Sequence, residues 1–201
     1  EISDFMDITP DKQRMDSLMV AANIRNLSLL ELFYTCVANL CKIMDGRGTK
    51  IPDEQHHYIE KDDYNKCIYH KRDMDATERT VIVMKDADIL IKICDSTGDF
   101  DDTSEYQLLI RLLKERTIID DDGSRRLRQK EEVENPSEVL LNPSDPEATF
   151  RYKAGGKHLG YVGNVVEAVG EKSSLVIDYD YQQNTYADNQ FMKDYLNEIG
   201  R

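Results

Sequence analysis

The sequence is short of positive charge, poor in cysteine and without any long apolar run. Lys and Arg number 26 against 39 Asp and Glu, a net charge of −13. That balance argues against a generic nucleic-acid binder, whose footprint is basic. It does not exclude a local basic patch, because net charge describes only the average. No apolar stretch approaches the roughly 18–20 residues that span a bilayer, so no membrane partner is expected. The opening residues do not read as a basic-then-apolar leader with a cleavage site. The four cysteines, Cys36, Cys41, Cys67 and Cys94, are scattered through apolar, helix-like surroundings. They read as buried thiols in a reducing cytoplasm and not as a disulfide framework. No internal repeat is visible.

What is present is enough for one large domain or two small ones: 201 residues, 40% hydrophobic and 32% charged. The chain begins on Glu1 and stops just past a helix-like stretch at Gly200 and Arg201. Both ends are expected to be interior to a longer gene product. Composition changes twice along the chain. Residues 1–27 are mixed, 28–135 are charged and helix-like, and 136–201 turn to Gly, Tyr, Val and alternating patterns.

Met15, Leu18, Met19 and Val20 suit a short buried strand and, nearly as well, a helix. Ser28 with Glu31 forms a capping box, followed by Leu29, Leu30, Leu32, Phe33, Val37, Leu40, Cys41 and Met44 at helical spacing. Gly46 and Gly48 are expected to stop that helix. A second helix is expected over 53–71 and a third over 75–95, where Val81-Ile82-Val83 keeps a strand in competition. Ser104 and Gln107 offer a further capping box. Asp120 to Ser124 reads as a turn, and the charged stretch 124–138 as a mobile linker. The last region reads as strand 160–169, turn 170–173 and strand 174–181. This is an antiparallel hairpin with Leu175, Ile177, Tyr179 and Tyr181 on one face. A helix follows, with Phe191, Met192, Tyr195, Leu196 and Ile199 on one side and Gly200 at its end.

Four groups carry candidate chemistry. Cys67 and His70, with His56 and His57 nearby, have zinc-ligand types but lack the second half of a known spacing; solvated helical histidines are the simpler reading. Asp95 to Tyr106 does not fit a calcium loop, and the other acidic runs read as solvated faces and turns. Phe150 to Tyr161 gathers Arg151, Lys153, Lys157 and His158 with aromatics and a Gly-Gly hinge. Cations on a flexible backbone can approach a phosphate ribbon closely; an ordinary glycine-rich loop is the alternative. Asp16, alone in an apolar run, could be a cap, a paired core charge or a catalytic carboxylate.

The wording of these segments ranks the alternatives. Arg14-Met15-Asp16-Ser17-Leu18-Met19-Val20-Ala21-Ala22-Asn23 resembles the D-[GS]-x-x-[IV]-x-[AS]-N signature around the first catalytic Asp of DDE insertion-sequence transposases. It runs into Arg25 to Leu32, which looks like the helix after that motif in one bacterial branch. Asn142-Pro143-Ser144-Asp145-Pro146-Glu147-Ala148-Thr149-Phe150, then Lys153 to Tyr161, resembles the family's S-x-x-D-P-[DE]-A…K-x-G-K…G-Y block. Leu18 stands where the family commonly has Thr, and Val162-Gly163-Asn164 where a His or basic residue often follows G-Y.

The resemblance implies an α+β fold: an incomplete ribonuclease H-like domain with first strand, antiparallel hairpin and helix, and a large mainly helical insertion. It divides the chain into the first-strand region 1–27 with Asp16, a helical charged insertion and linker 28–138, and the hairpin plus helix 139–201. It implies a DNA transposase that cleaves DNA and transfers the strand by phosphoryl transfer. Asp16 would be a catalytic residue and metal ligand, and Arg151, Lys153, Lys157 and His158 DNA contacts. The second Asp and the Glu would lie beyond Arg201. Three convergent carboxylates are needed to hold two divalent metals, so Mg²⁺ or Mn²⁺ is expected only in the full-length protein and this chain alone should be inactive. Implied partners are transposon ends and target DNA, with a homodimer of the full-length protein, at the bacterial nucleoid in the cytoplasm. The alternative is a non-catalytic helical protein-interaction module or decayed transposase remnant.

Overall fold

Phe5, Ile8 and residues 12–70, 74–153 and 155–200 are described by the computed structural model. The chain divides into a sheet unit, Glu1–Asn23 with Glu147–Arg201, and a helical unit, Ile24–Pro146. The fold is thus α+β, with antiparallel sheets.

In the helical unit, α1 (Leu29–Gly46) starts at the expected cap. Ser28 Oγ accepts from the Glu31 N–H at 3.3 Å while the Glu31 carboxylate accepts from the Ser28 N–H at 2.8 Å, so two end donors are satisfied reciprocally. Helix α2 (Ala76–Thr97) decides the competition at Val81 to Val83 for helix. Asp75 and Glu78 form a second capping box there, and the helix penalty of β-branched residues is only a few tenths of a kcal/mol each. Helix α3 (Ser104–Arg116) is capped one residue earlier than expected: Thr103 Oγ1, not Ser104, accepts from the Tyr106 N–H at 3.4 Å. Gln107 instead donates to the Asp101 carbonyl at 2.7 Å. The three helices enclose Phe33, Leu40, Met44, Met84, Leu90, Phe100, Leu109 and Leu112 in one core. All four cysteines are free and buried, and burial pushes the Cys36 and Cys41 thiols up to about 12.

The single helix expected over 53–71 is broken. His56–Ile59 forms a 3-10 turn, Glu60 is extended, Asp63–Asn65 makes one helical turn, and Lys66–His70 is a π-turn. Tertiary bonds override the local pattern. Tyr58 Oη and Gln55 Nε2 both donate to Asp86 at 2.7 Å, and Tyr34 Oη donates to Asp63 at 2.6 Å.

The stretch expected to be a mobile linker, 124–138, is folded. Thr117–Ile119 (β2) and Arg125–Leu127 (β3) pair around the Asp120 to Ser124 turn, and Lys130–Glu132 forms a 3-10 turn. Its arginines all have partners. Arg125 binds Asp88 at 2.8 Å, Arg126 binds Asp120 at 3.0 Å and Glu132 at 2.8 and 2.9 Å, and Arg128 donates to the Thr117 and Glu132 carbonyls.

The sheet unit is centred on one long strand. Gln13–Ala21 (β1), Thr149–Lys153 (β4), Gly156–Val169 (β5) and Ser174–Gln183 (β6) form an antiparallel sheet, followed by α4 (Asp188–Ile199). β5 pairs with β1 along one side. On the other it pairs with β6 along Tyr161–Val169 and with β4 along Gly156–Gly160. Gly160, where β1 and β4 both reach β5, has φ +135°. A Cβ there would meet the Val20 carbonyl oxygen at 2.3 Å and the Ala22 nitrogen at 2.4 Å, so only glycine permits the approach. β1 is a half-exposed edge strand and not a buried one.

Alternation then assigns the faces. Gly160, Val162, Asn164, Val166 and Ala168 of β5 are buried, and the α4 side chain Phe191 is buried too. Phe191 lines the same depression as Asn164 and Val166, so α4 packs on this face. β6 does not alternate regularly. A bulge lies between Val166 and Glu167, whose partners are Asp178 and Val176. The extra residue, Ile177, shifts the register. Leu175 therefore faces α4 with Asp178 and Asp180, whereas Tyr179 and Tyr181 lie on the opposite face. The expected single row Leu175–Ile177–Tyr179–Tyr181 does not form.

Candidate functional site

Asp16 sits in the middle of β1, opposite Val165. It shares a shallow depression of ≈ 180 Å³ with Arg14, Leu18, Val165 and Glu167. This is the face away from α4. Its Oδ1 accepts from the Ser17 N–H at 2.9 Å. Glu167, the neighbouring carboxylate, forms an ion pair with Arg14. Ser17 points to the α4 face, where its Oγ accepts from Asn164 Nδ2 at 2.9 Å, and Asn164 is 3% exposed. A buried amide thus fixes the register around Asp16, although nothing in the local spelling of β1 announces that partner 147 positions away.

The three cations and the histidine of the Phe150 to Tyr161 segment lie on the β4–β5 hairpin, a strand pair where the sequence suggests a hinge. Gly155, at φ +78°, makes the tight connection. These side chains divide between faces. Arg151 and His158 are cross-strand partners, as are Tyr152 and Lys157. Arg151 is tied down, donating to the Tyr186 carbonyl at 3.1 Å and lying 3.6 Å from Asp188. His158 Nε2 lies 3.1 Å from the Lys153 carbonyl oxygen. Lys157 Nζ stands 4.1 Å from the centre of the Phe150 ring. From His158 to Val165, the partner of Asp16, is seven residues of β5, or about 23 Å at strand rise. The structure therefore places Asp16 and the cationic hairpin in one sheet but not in one cluster.

Carboxylates that the sequence reading did not single out gather on the other face. Asp178, Asp180, Asp194 and Glu198 surround a depression of ≈ 170 Å³ between β6 and α4, with Asn164, Val166, Phe191 and Tyr195. Asp194 is engaged by the Tyr186 hydroxyl and by Gln190 Nε2 at 2.8 Å. The bulge that turns Asp178 and Asp180 inward is what hides this grouping from a reading of the sequence.

The Cys67–His70–His56–His57 candidate is not assembled as a ligand set. Cys67 is buried, and His57 Nδ1 lies 2.8 Å from Asp63 Oδ2. Among the described residues, no group of three or more His, Cys, Asp or Glu side chains is spaced to hold a metal ion. Around this segment the helical unit has a depression of ≈ 470 Å³ lined by Tyr34, Tyr58, Tyr64, Lys42 and Lys61. The tyrosine hydroxyls are committed donors: Tyr34 to Asp63, Tyr58 to Asp86, and Tyr64 to Glu31 at 3.0 Å. Burial first, and then these carboxylates, raises all three phenols, Tyr64 to about 12. They serve as structural donors at neutral pH.

Among the described residues, no helix is long and apolar enough to cross a membrane. No protein-family model, no curated protein and no solved structure matches this chain.

Proposed function

We propose that the chain is part of a DDE-type insertion-sequence transposase, with Asp16 the first carboxylate of its metal-binding triad. One observation carries the proposal. The two ends of the chain, 123 residues apart at the junctions of the helical unit, come together as one sheet in the order that the resemblance implies. A first strand bearing the Asp is followed, after an insertion and the additional strand β4, by the antiparallel β5–β6 hairpin and a helix. A ribonuclease H-like domain begins in that order, and the transposase-like wording lies on these same elements. The local geometry also favours a reactive role over a structural one: Asp16 is exposed, and its hydrogen bond is to the next residue's own N–H.

Two-metal phosphoryl transfer requires several carboxylates from different elements to converge. Asp16 supplies one, and Glu167 beside it is neutralised by Arg14. Among the described residues no group of carboxylates is spaced to hold a divalent metal pair, so no chemical step is assigned to them. In the proposal, the second Asp and the Glu come from sequence beyond Arg201, and Mg²⁺ or Mn²⁺ binds only when they are present. The second reading, a helical protein-interaction module, draws on the separate core of the helical unit.

The test uses supercoiled plasmid with Mg²⁺ or Mn²⁺. The 201-residue chain is expected to leave the plasmid intact. A protein extended through the downstream reading frame is expected to nick it, and Asp16→Asn is expected to abolish nicking. Cleavage by the short chain that is lost in Asp16→Ala would overturn the divided triad. Cleavage by the extended protein that ignores Asp16, or an extension without further strand-borne Asp and helical Glu, would favour the non-catalytic reading.

A further inference from the structure

The β4–β5 hairpin has two unlike faces. Residues 149–159 contain three Lys or Arg and no Asp or Glu, in a chain whose net charge is −13. On one face Arg151 is bonded to the Tyr186 carbonyl and paired with Asp188, so its charge is spent within the fold. On the other, Tyr152 is 73% exposed. Beneath it the Phe150 ring meets it edge to face, centroids 5.8 Å apart and planes at 89°. Lys157 lies directly across the strand pair from Tyr152, with its ammonium held over the Phe150 ring at 4.1 Å. Burying an aromatic ring is favourable, yet this fold holds Tyr152 outward on a paired strand with a positioned cation beside it. Tyr179 is comparably exposed, but its neighbours across the strands include Asp16 and Glu167 on the same face. Charge therefore distinguishes the hairpin from the rest of the sheet.

We propose that the Tyr152–Phe150–Lys157 face of the hairpin is a stacking site for an unpaired base of single-stranded DNA, with Lys157 contacting the adjacent phosphate. An aromatic ring next to a cation is the elementary unit of sequence-tolerant single-strand binding: the ring takes the base face, and the cation takes the backbone. A duplex keeps its base faces stacked inside and presents phosphates and groove edges instead, with no base face for Tyr152 to stack on. The proposal rests on the DNA-processing reading above, since it takes DNA as the ligand, but it does not depend on Asp16.

The experiment titrates the purified chain into a single-stranded oligodeoxynucleotide carrying one 2-aminopurine, and into the same sequence as a duplex, at low salt. Single-strand binding should quench the 2-aminopurine and exceed duplex binding. Tyr152→Ala should weaken it roughly 5- to 150-fold, the equivalent of one base–aromatic stack. Tyr152→Phe and Tyr152→Trp should retain binding, and Lys157→Ala should weaken it and flatten its salt dependence. The side chain of Tyr152 is outside any core, so circular dichroism of the variants should match the parent. Equal affinity for single strand and duplex, with loss in Lys157→Ala but none in Tyr152→Ala, would overturn stacking and leave a phosphate contact only. Absence of binding to either oligonucleotide would also overturn it. Neither result touches the Asp16 nicking test, so the two proposals fail separately.

Discussion

The helical and sheet units solve the same burial problem in opposite ways. The helical unit is one continuous stretch of chain, and its core runs unbroken from Leu30 to Leu140 through three helices. Its elements are stabilised by near neighbours, with reciprocal caps at Ser28 and Asp75. The sheet unit joins residues from the two ends of the chain, and every contact of β1 with β5 closes a very long loop. Among the described residues its buried apolar side chains are few: Ile8, Ala148, Val162, Val166, Ala168 and Phe191. Leu18, Tyr152, Val176, Tyr179 and Tyr181 on its strands are exposed, as are Met192, Leu196 and Ile199 on α4. The helical unit therefore derives its stability from depth of core. The sheet unit depends on register, fixed by a few residues such as Asn164 and Gly160.

The largest effect should come from removing core depth. Phe33 is fully buried, and Phe33→Ala deletes most of a large ring from close packing, at a cost of about 3–5 kcal/mol. Urea unfolding followed by far-ultraviolet circular dichroism measures it. A loss below about 1 kcal/mol would mean that the core relaxes around the cavity, and the claimed contrast in core depth would fail.

A smaller effect should come from disturbing register. Gly160→Ala puts a Cβ against the Val20 and Ala22 backbone and keeps a φ of +135° that L-residues avoid. Neither obstacle is the tip of a flexible side chain, so the strands must part; about 1–3 kcal/mol is expected. Amide hydrogen exchange should show the loss at Met15 to Val20 of β1, with α1 unchanged. Equal acceleration in α1 would show that the two units open as one.

The same contrast explains what was legible in the sequence. The Ser28–Glu31 cap, the apolar stripe of α1 and the 170–173 turn depend on residues within a few positions of each other, and they were readable. The Thr103 cap was missed by one position because Ser and Thr stand side by side and either can accept the end N–H. The bulge at Ile177 was illegible, since it exists only relative to β5, and it moved Leu175 and two aspartates to another face. β4 was hidden because its pairing partner β5 begins inside the Gly155-Gly156 pair, which reads as a hinge. For the candidate site, Asp16 and the hairpin cations could be named from their wording. Their separation along β5, and the division of the cations between two faces, required the strand register.

The charged stretch 124–138 yields the smallest predicted effect and the sharpest test of where long-range partners outweigh composition. Hydrogen bonds from Arg126, and then from the Gln129 N–H, hold the Glu132 carboxyl down at about 2, against an ordinary 4.5. A carboxyl depressed in the folded state contributes stability that is fully present above its unfolded value and disappears as pH falls through its folded value. The 3-10 turn and β3 should therefore loosen as pH falls from about 4.5 to about 2, and not in the neutral range. Because the pair is open to solvent, salt should weaken the effect. The carbon-13 shift of the Glu132 carboxyl should titrate near pH 2, and Glu132→Gln should remove the acid sensitivity of amide protection at Arg125 to Leu127. A midpoint near 4.5 would return this stretch to the solvated charge run that its composition suggests. The helical unit would then lose its claim that order extends from the core into its most polar segment.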